Sequence, residues 1–206
     1  RFDLRVFSFL LLLLAALPFL SGCLGAAVSV GASVAAAASE ERGLNNVARD
    51  LAIRTQISAL WLDHSEALLT SADISISEGR VLLTGSVPTP KMRVDAVRLA
   101  WKAAGVKEVI NEIQATSSGE TSGFARDGWI STKLKARLTL DNQVVSINYS
   151  IDTVSGTIYL MGIAQNAAEL ERVRNHARQI KYVRRIVSHA IMKNNPRRKV
   201  NRATNK

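Results

Sequence analysis

Three histidines, one cysteine and a short acid–base run are the residues of this 206-residue chain whose types could do chemistry. Asp63-His64-Ser65 holds the residue types of a hydrolytic triad, but neighbours in a chain cannot face one another as a triad requires. The run reads instead as a polar loop after a helix. His176 falls on a helix with Arg172 and Ile180 at i−4 and i+4, which offers no second metal ligand. His189, between Ser188 and Ala190, reads as a strand-surface side chain. No phosphate-cradling glycine loop and no carboxylate pair at a recognisable spacing occurs. A lone cysteine excludes an internal disulfide and a Cys-rich zinc site. These residues argue against an enzyme, and no catalytic residue, metal ligand, cofactor or small-molecule substrate is assigned.

The cysteine itself is informative. Arg1 and Arg5 precede an apolar run from Val6 to Leu20, the pattern of a secretory signal and short for a membrane span. Leu20-Ser21-Gly22-Cys23 follows at once. An apolar residue, two small ones and a cysteine match the bacterial lipoprotein box, in which the thiol carries a thioether-linked lipid and becomes the mature N-terminus. Residues 1–22 are therefore expected to be a signal peptide. Residues 23–44 are expected to be an acylated cysteine with a tether, since Leu24 to Ser39 is otherwise Gly, Ala, Val and Ser. Leu24 rather than Asp beside the cysteine suits delivery to the outer membrane, lipid-anchored and facing the periplasm.

What must position any site is a unit written twice. Sliding the chain by 77 residues aligns Asp50 with Asp127, Ile53 with Ile130, Gly79 with Gly156, Leu83 with Leu160 and Gly85 with Gly162. Each copy reads as helix, two strands, helix, strand. Ile53, Ile57, Leu60 and Trp61 recur at helical spacing, and Ile74/Ile76 and Val81/Leu83 alternate around Ser77-Glu78-Gly79. Thr89-Pro90 supplies an N-cap and first helical residue. Gly105 closes that helix, and Val106 to Ile113 forms the last strand. The expected architecture is α+β: two tandem αββαβ modules, each a small three-stranded sheet packed by two helices. The first spans 45–115, a polar linker 116–125, the second 126–192, and a basic disordered tail 193–206. Gly85 and Gly162 are expected at a bulge or a close helix–sheet approach.

The αββαβ order, the hairpin strands GRVLLTG and GTIYLMG, the ending AAGVKEVINEI and the opening RDGWISTKL resemble the BON domain. Two copies behind a lipobox are similar to dual-BON outer-membrane lipoproteins. The resemblance covers essentially Cys23 to Met192. Tyr182 stands where the first copy has Gly105, a departure that puts a tight left-handed turn there in doubt. The resemblance implies a non-enzymatic binding module, linked to phospholipid membranes and envelope integrity.

Charge supplies the candidate site. The chain carries 27 Lys and Arg against 17 Asp and Glu, a net charge of +10. Residues 45–115 balance at eight of each sign, residues 126–192 hold ten basic and five acidic, and the tail holds six basic and none acidic. With aromatics at 5%, a stacked-base platform is disfavoured, and an export signal removes nucleic acid as partner. Between the copies, Ala52 becomes Trp129, Gln56 becomes Lys133, Ser58 becomes Lys135 and Leu60 becomes Arg137. Trp129, Lys133 and Arg137 share a helix face. An indole among cations suits an anionic lipid interface, and the resemblance assigns lipid binding to this same helix. The alternative leaves Trp129 in the core or between modules and the lysines as a solvated face. Trp129, Lys133, Lys135 and Arg137 are the candidate phospholipid-binding residues. Arg197, Arg198 and Lys199 are candidate polyanion contacts of the tail, unless the tail only solubilises. A second functional reading is a periplasmic chaperone or adaptor for outer-membrane protein assembly.

Overall fold

A computed structural model describes residues 43–116 and 123–198. The expected signal peptide, Cys23, nearly all of the tether, the middle of the linker, and Lys199 with the end of the tail lie outside the described residues.

Helix α1 (Leu44–His64) buries Asp50, Ile53, Ile57 and Trp61, a stripe at helical spacing. It stops at Ser65, whose hydroxyl accepts from the Leu68 N–H and opens the short helix α2 (Glu66–Ser71). Strands β1 (Ala72–Ser77) and β2 (Arg80–Val87) pair antiparallel with Ser77 opposite Arg80, leaving Glu78-Gly79 as a two-residue turn. Both turn residues have positive φ, 56° and 80°, as a type I′ hairpin requires. The repeat's one conserved buried acid explains how the turn is held. Asp50 reaches over from α1 and accepts from the N–H groups of Glu78 and Gly79, each at 2.8 Å.

Thr89 then caps helix α3 (Pro90–Ala100), its hydroxyl accepting from the Met92 N–H with Pro90 in the first turn. The chain returns parallel to β2 as β3 (Glu108–Asn111) and β4 (Gln114–Ala115). These are one strand in one register, interrupted where the Asn111 side chain accepts from the Ile113 N–H. The expected three-stranded sheet is present, with its last strand broken in two.

The second copy repeats every step. Helix α4 (Phe124–Leu140) buries Asp127, Ile130, Leu134 and Leu138. After a 3₁₀ turn, Ser146–Asn148, come β5 (Tyr149–Val154), β6 (Thr157–Ala164), helix α5 (Ala167–Arg178), β7 (Arg185–Ser188) and β8 (Ile191–Met192). Asp127 binds the Ser155 and Gly156 N–H groups as Asp50 binds its own hairpin. At Gly85 and Gly162 the close approach is to incoming backbone: a Cβ would strike the carbonyl of Ser71 or Asn148.

In each module the helices cover one sheet face around its own core. The other two faces cover one another. Leu82, Val154, Tyr159 and Met161 form a third apolar cluster, flanked by Ile110 and Val187, and β1 packs on β6 as β2 packs on β5. The order of layers is helices, sheet, sheet, helices. Covering on both sides is why β6 is buried along its whole length rather than alternating. Leu82 and Tyr159, and Ile110 and Val187, are equivalent positions of the repeat, so the modules meet about a pseudo-twofold axis.

The start of the tail departs from the expectation of disorder. Residues 196–198 are helical, and Arg198 is only 4% exposed. Its guanidinium makes a two-pronged bond to the Glu78 carboxylate, at 2.9 and 2.8 Å, and donates to the Lys193 carbonyl. Arg198 is thus committed inward to the first module's hairpin and is not a free polyanion contact. Arg197 is exposed, 3.9 Å from Glu108.

Candidate functional site

All three histidines are occupied by carboxylates. His64, the last residue of α1 rather than part of a loop, faces Asp95 at 3.2 Å. His176 faces Asp141 at 2.6 Å. Asp141 occupies the repeat position of His64 and Arg172 that of Asp95, and these two lie 3.8 Å apart, so the helix–helix link recurs with the charges exchanged and His176, whose counterpart is Leu99, adds to it. Lys91 and then Arg98 beside Asp95 hold its carboxyl well below the usual carboxylate range. His189 is a bridge between modules, 2.9 Å from Glu112, its own equivalent in the repeat, while Arg80 donates to the His189 carbonyl. Among the described residues no group of His, Cys, Asp and Glu is placed to hold a metal.

The unusual surface lies at one end of the second module, where the start of α4, the Ser155-Gly156 hairpin and the α5–β7 loop converge. Trp129 is 47% exposed and Tyr182 is 51% exposed. Their rings meet edge to face, with centroids 6.3 Å apart and planes at 68°. Two cations bracket the tyrosine: the Arg126 guanidinium lies 5.1 Å and the Lys181 ammonium 4.9 Å from the ring centroid. Phe124, the first residue of α4, is 83% exposed but stands about 140° round the helix from Trp129.

Tyr182 is the residue sequence reasoning left out of the site. It adopts φ +71°, in the left-handed region, where its counterpart Gly105 has φ +93°. The tight turn is therefore kept despite the side chain. Its carbonyl sits where a Cβ on Gly156 would fall, so turn and hairpin lock together. A non-glycine residue in this conformation costs about 1–2 kcal/mol, and such strain concentrates where a side chain is needed. The signal was present in the sequence as the Gly105-to-Tyr182 departure.

The four expected lipid-facing residues are not equivalent. Trp129 and Lys133 are exposed on the same flank of α4. Arg137, on that flank, is partly drawn in, donating to the His176 carbonyl at 3.3 Å. Lys135 is exposed but stands about 120° round the helix from Trp129. Arg126 and Lys181, both against the Tyr182 ring, complete the surface that Trp129 marks. Nearby, Arg174 and Arg178 on α5 and Arg184 and Arg185 at the start of β7 line an open groove of about 440 Å³.

Residues 49–117 and 126–194 each match the BON domain. The chain is 40% identical over 151 residues to an uncharacterised protein of the gshII 5′ region of Anaplasma centrale, covering 73% of this chain and 99% of that one. It is 27% identical to the outer membrane lipoprotein DolP of Haemophilus influenzae, covering 74% and 80%. It is 25% identical to the osmotically-inducible protein Y of Escherichia coli, covering 69% and 72%.

Proposed function

From the premise that the chain belongs to the BON-domain family and carries two copies in tandem, we propose that it is a non-enzymatic binding protein of the bacterial envelope. In this reading its second module docks on anionic phospholipid and supports outer-membrane integrity. The observation that carries it is the Trp129–Tyr182 pair. Two half-exposed amphipathic rings sit among Arg126, Lys181 and Lys133, with no carboxylate of the described residues paired to these three cations. Such rings bury their apolar bodies at the headgroup level and keep their polar tips wet. Each cation held near an anionic surface contributes roughly 1 kcal/mol. Among the described residues no helix is long and apolar enough to cross a membrane. Attachment is assigned to a lipid on Cys23, which holds the weaker module contact at high effective concentration. The similarity to an outer membrane lipoprotein supports that placement.

A chain of residues 40–206, which leaves out the expected signal peptide and lipidation site, suits a vesicle assay. Binding is expected to rise with the phosphatidylglycerol fraction and to fall as salt rises. Trp129→Ala and Lys133→Glu should each weaken it by about tenfold, as loss of roughly 1.4 kcal/mol implies. Equal binding to neutral vesicles, or no loss in either variant, would sink the reading. Labelling with palmitate, lost in Cys23→Ala, tests the anchor separately.

A second reading, an adaptor for outer-membrane protein assembly, is favoured by the first module's surface. Leu51, Leu62 and Trp101 are more than half exposed there. Capture of an unfolded outer-membrane protein that is insensitive to salt and lost in Leu51→Ser/Leu62→Ser would support it.

A further inference from the structure

We infer that the groove between α5 and β7 is a second anion site, built for a phosphate-type dianion: a phosphomonoester or a diphosphate. Its walls carry Arg174 and Arg178, one helical turn apart on α5, and Arg184 and Arg185 at the start of β7, with Val183 and Ile186 between them. At about 440 Å³ the space suits a small ligand. Four guanidiniums meet one carboxylate, Glu171, which lies 2.6 Å from Arg178 and 3.6 Å from Arg174. Those pairs are largely solvated, so each is weak, and they hold the helix arginines in place without neutralising the groove. Arg184 and Arg185 are exposed and make no ion pair within the described residues. Planar guanidinium forks carried on two walls of one groove suit the several oxygens of a phosphoryl group, and a second negative charge can engage both walls at once.

The first module serves as an internal control on the same backbone. At the four equivalent positions it carries Val97, Trp101, Lys107 and Glu108. Glu108 there is bound to Arg80 at 2.7 Å. The fold itself therefore does not call for arginines beside this strand. The concentration of four arginines in one copy, two of them with no ion pair among the described residues, is what points to a ligand. The site lies beyond the Trp129 face and would serve a free phosphate compound or a lipid headgroup by the same chemistry.

The test is calorimetric titration of pyrophosphate into the full chain in uncharged detergent micelles. Saturable binding is expected, weakened about tenfold or more in Arg184→Glu/Arg185→Glu and unchanged in the charge-matched double control Arg93→Glu/Lys102→Glu, at two exposed positions of the first module. No saturable binding, or equal loss in the control, would overturn the site. Should the double variant fail to fold, amide shifts in the unaltered chain decide the matter. Changes centred on Val183 to Ile186 support the groove, and changes spread over all basic surfaces contradict it. Vesicles containing phosphatidic acid, compared with phosphatidylglycerol, then separate the sources. Preference for the monoester that is lost in the double variant identifies a lipid headgroup, and pyrophosphate binding without that preference identifies a soluble ligand. The titration uses no membrane surface, so it fails or succeeds independently of phospholipid docking.

Discussion

Tyr182 separates stability from binding within a single side chain. A tyrosine at φ +71° stores strain that glycine would not, and the first module uses glycine at this place. Tyr182→Gly should therefore raise unfolding stability by about 1 kcal/mol, while removing the ring that Trp129, Arg126 and Lys181 contact. The measurement is a denaturant melt beside a vesicle titration. Gain of stability with loss of binding is expected, whereas a stable variant that binds as before would show the ring to be ornamental. At this scale the sequence was partly legible. Comparison of the two copies isolates Trp129 because alanine occupies its counterpart, and the same comparison marks Tyr182 as a departure. What could not be read was their contact, since the rings belong to a helix start and a loop far apart in the chain.

Among elements, the hairpins were the most readable. Paired glycines, alternation and the aligned Asp50 and Asp127 all reflect local geometry with a short reach. The covering of the sheets was not readable. Leu82 and Tyr159 look like any strand residues, and only the folded chain shows that they face one another. Asp152 belongs to that buried layer, directly across from Tyr159 on β5 and β6. Burial pushes its carboxyl up, with the nearby Asp73 charge adding to the effect. A raised folded value means that its contribution is fully present below the unfolded value and is lost as pH rises through the folded one. The ionised form is therefore a cost at neutral pH. Asp152→Asn should raise the melting temperature at pH 7 and change it much less at pH 4. An equal change at both pH values would show that the carboxyl does not titrate in the interface.

Across the whole molecule, the two modules are one body because equivalent surfaces meet. The apolar cluster is reinforced at its rim by Glu112–His189 and by Arg80 on the His189 carbonyl. The tail adds a longer link, since Arg198 and Glu78 lie 120 residues apart in sequence. That separation is why a Pro-Arg-Arg segment reads as solvated when its acid partner is unknown. Both side chains are buried, so removing one strands the other's charge. Arg198→Ala should cost about 3 kcal/mol in denaturant unfolding. A loss within about 0.5 kcal/mol, the range of ordinary surface changes, would show that the tail does not hold the first hairpin.

The central claim is that the Trp129 end of the second module enters an anionic bilayer. Of the three tryptophans, Trp61 is fully buried in the first module's core, and Trp101 and Trp129 are half-exposed. In a Trp101→Phe background the accessible fluorescence is therefore that of Trp129. Vesicles of phosphatidylglycerol carrying a doxyl quencher just below the headgroup should shift this emission to the blue and quench it, and neutral vesicles should do neither. Emission that stays at its free-solution wavelength while the protein sediments with the vesicles would contradict the account.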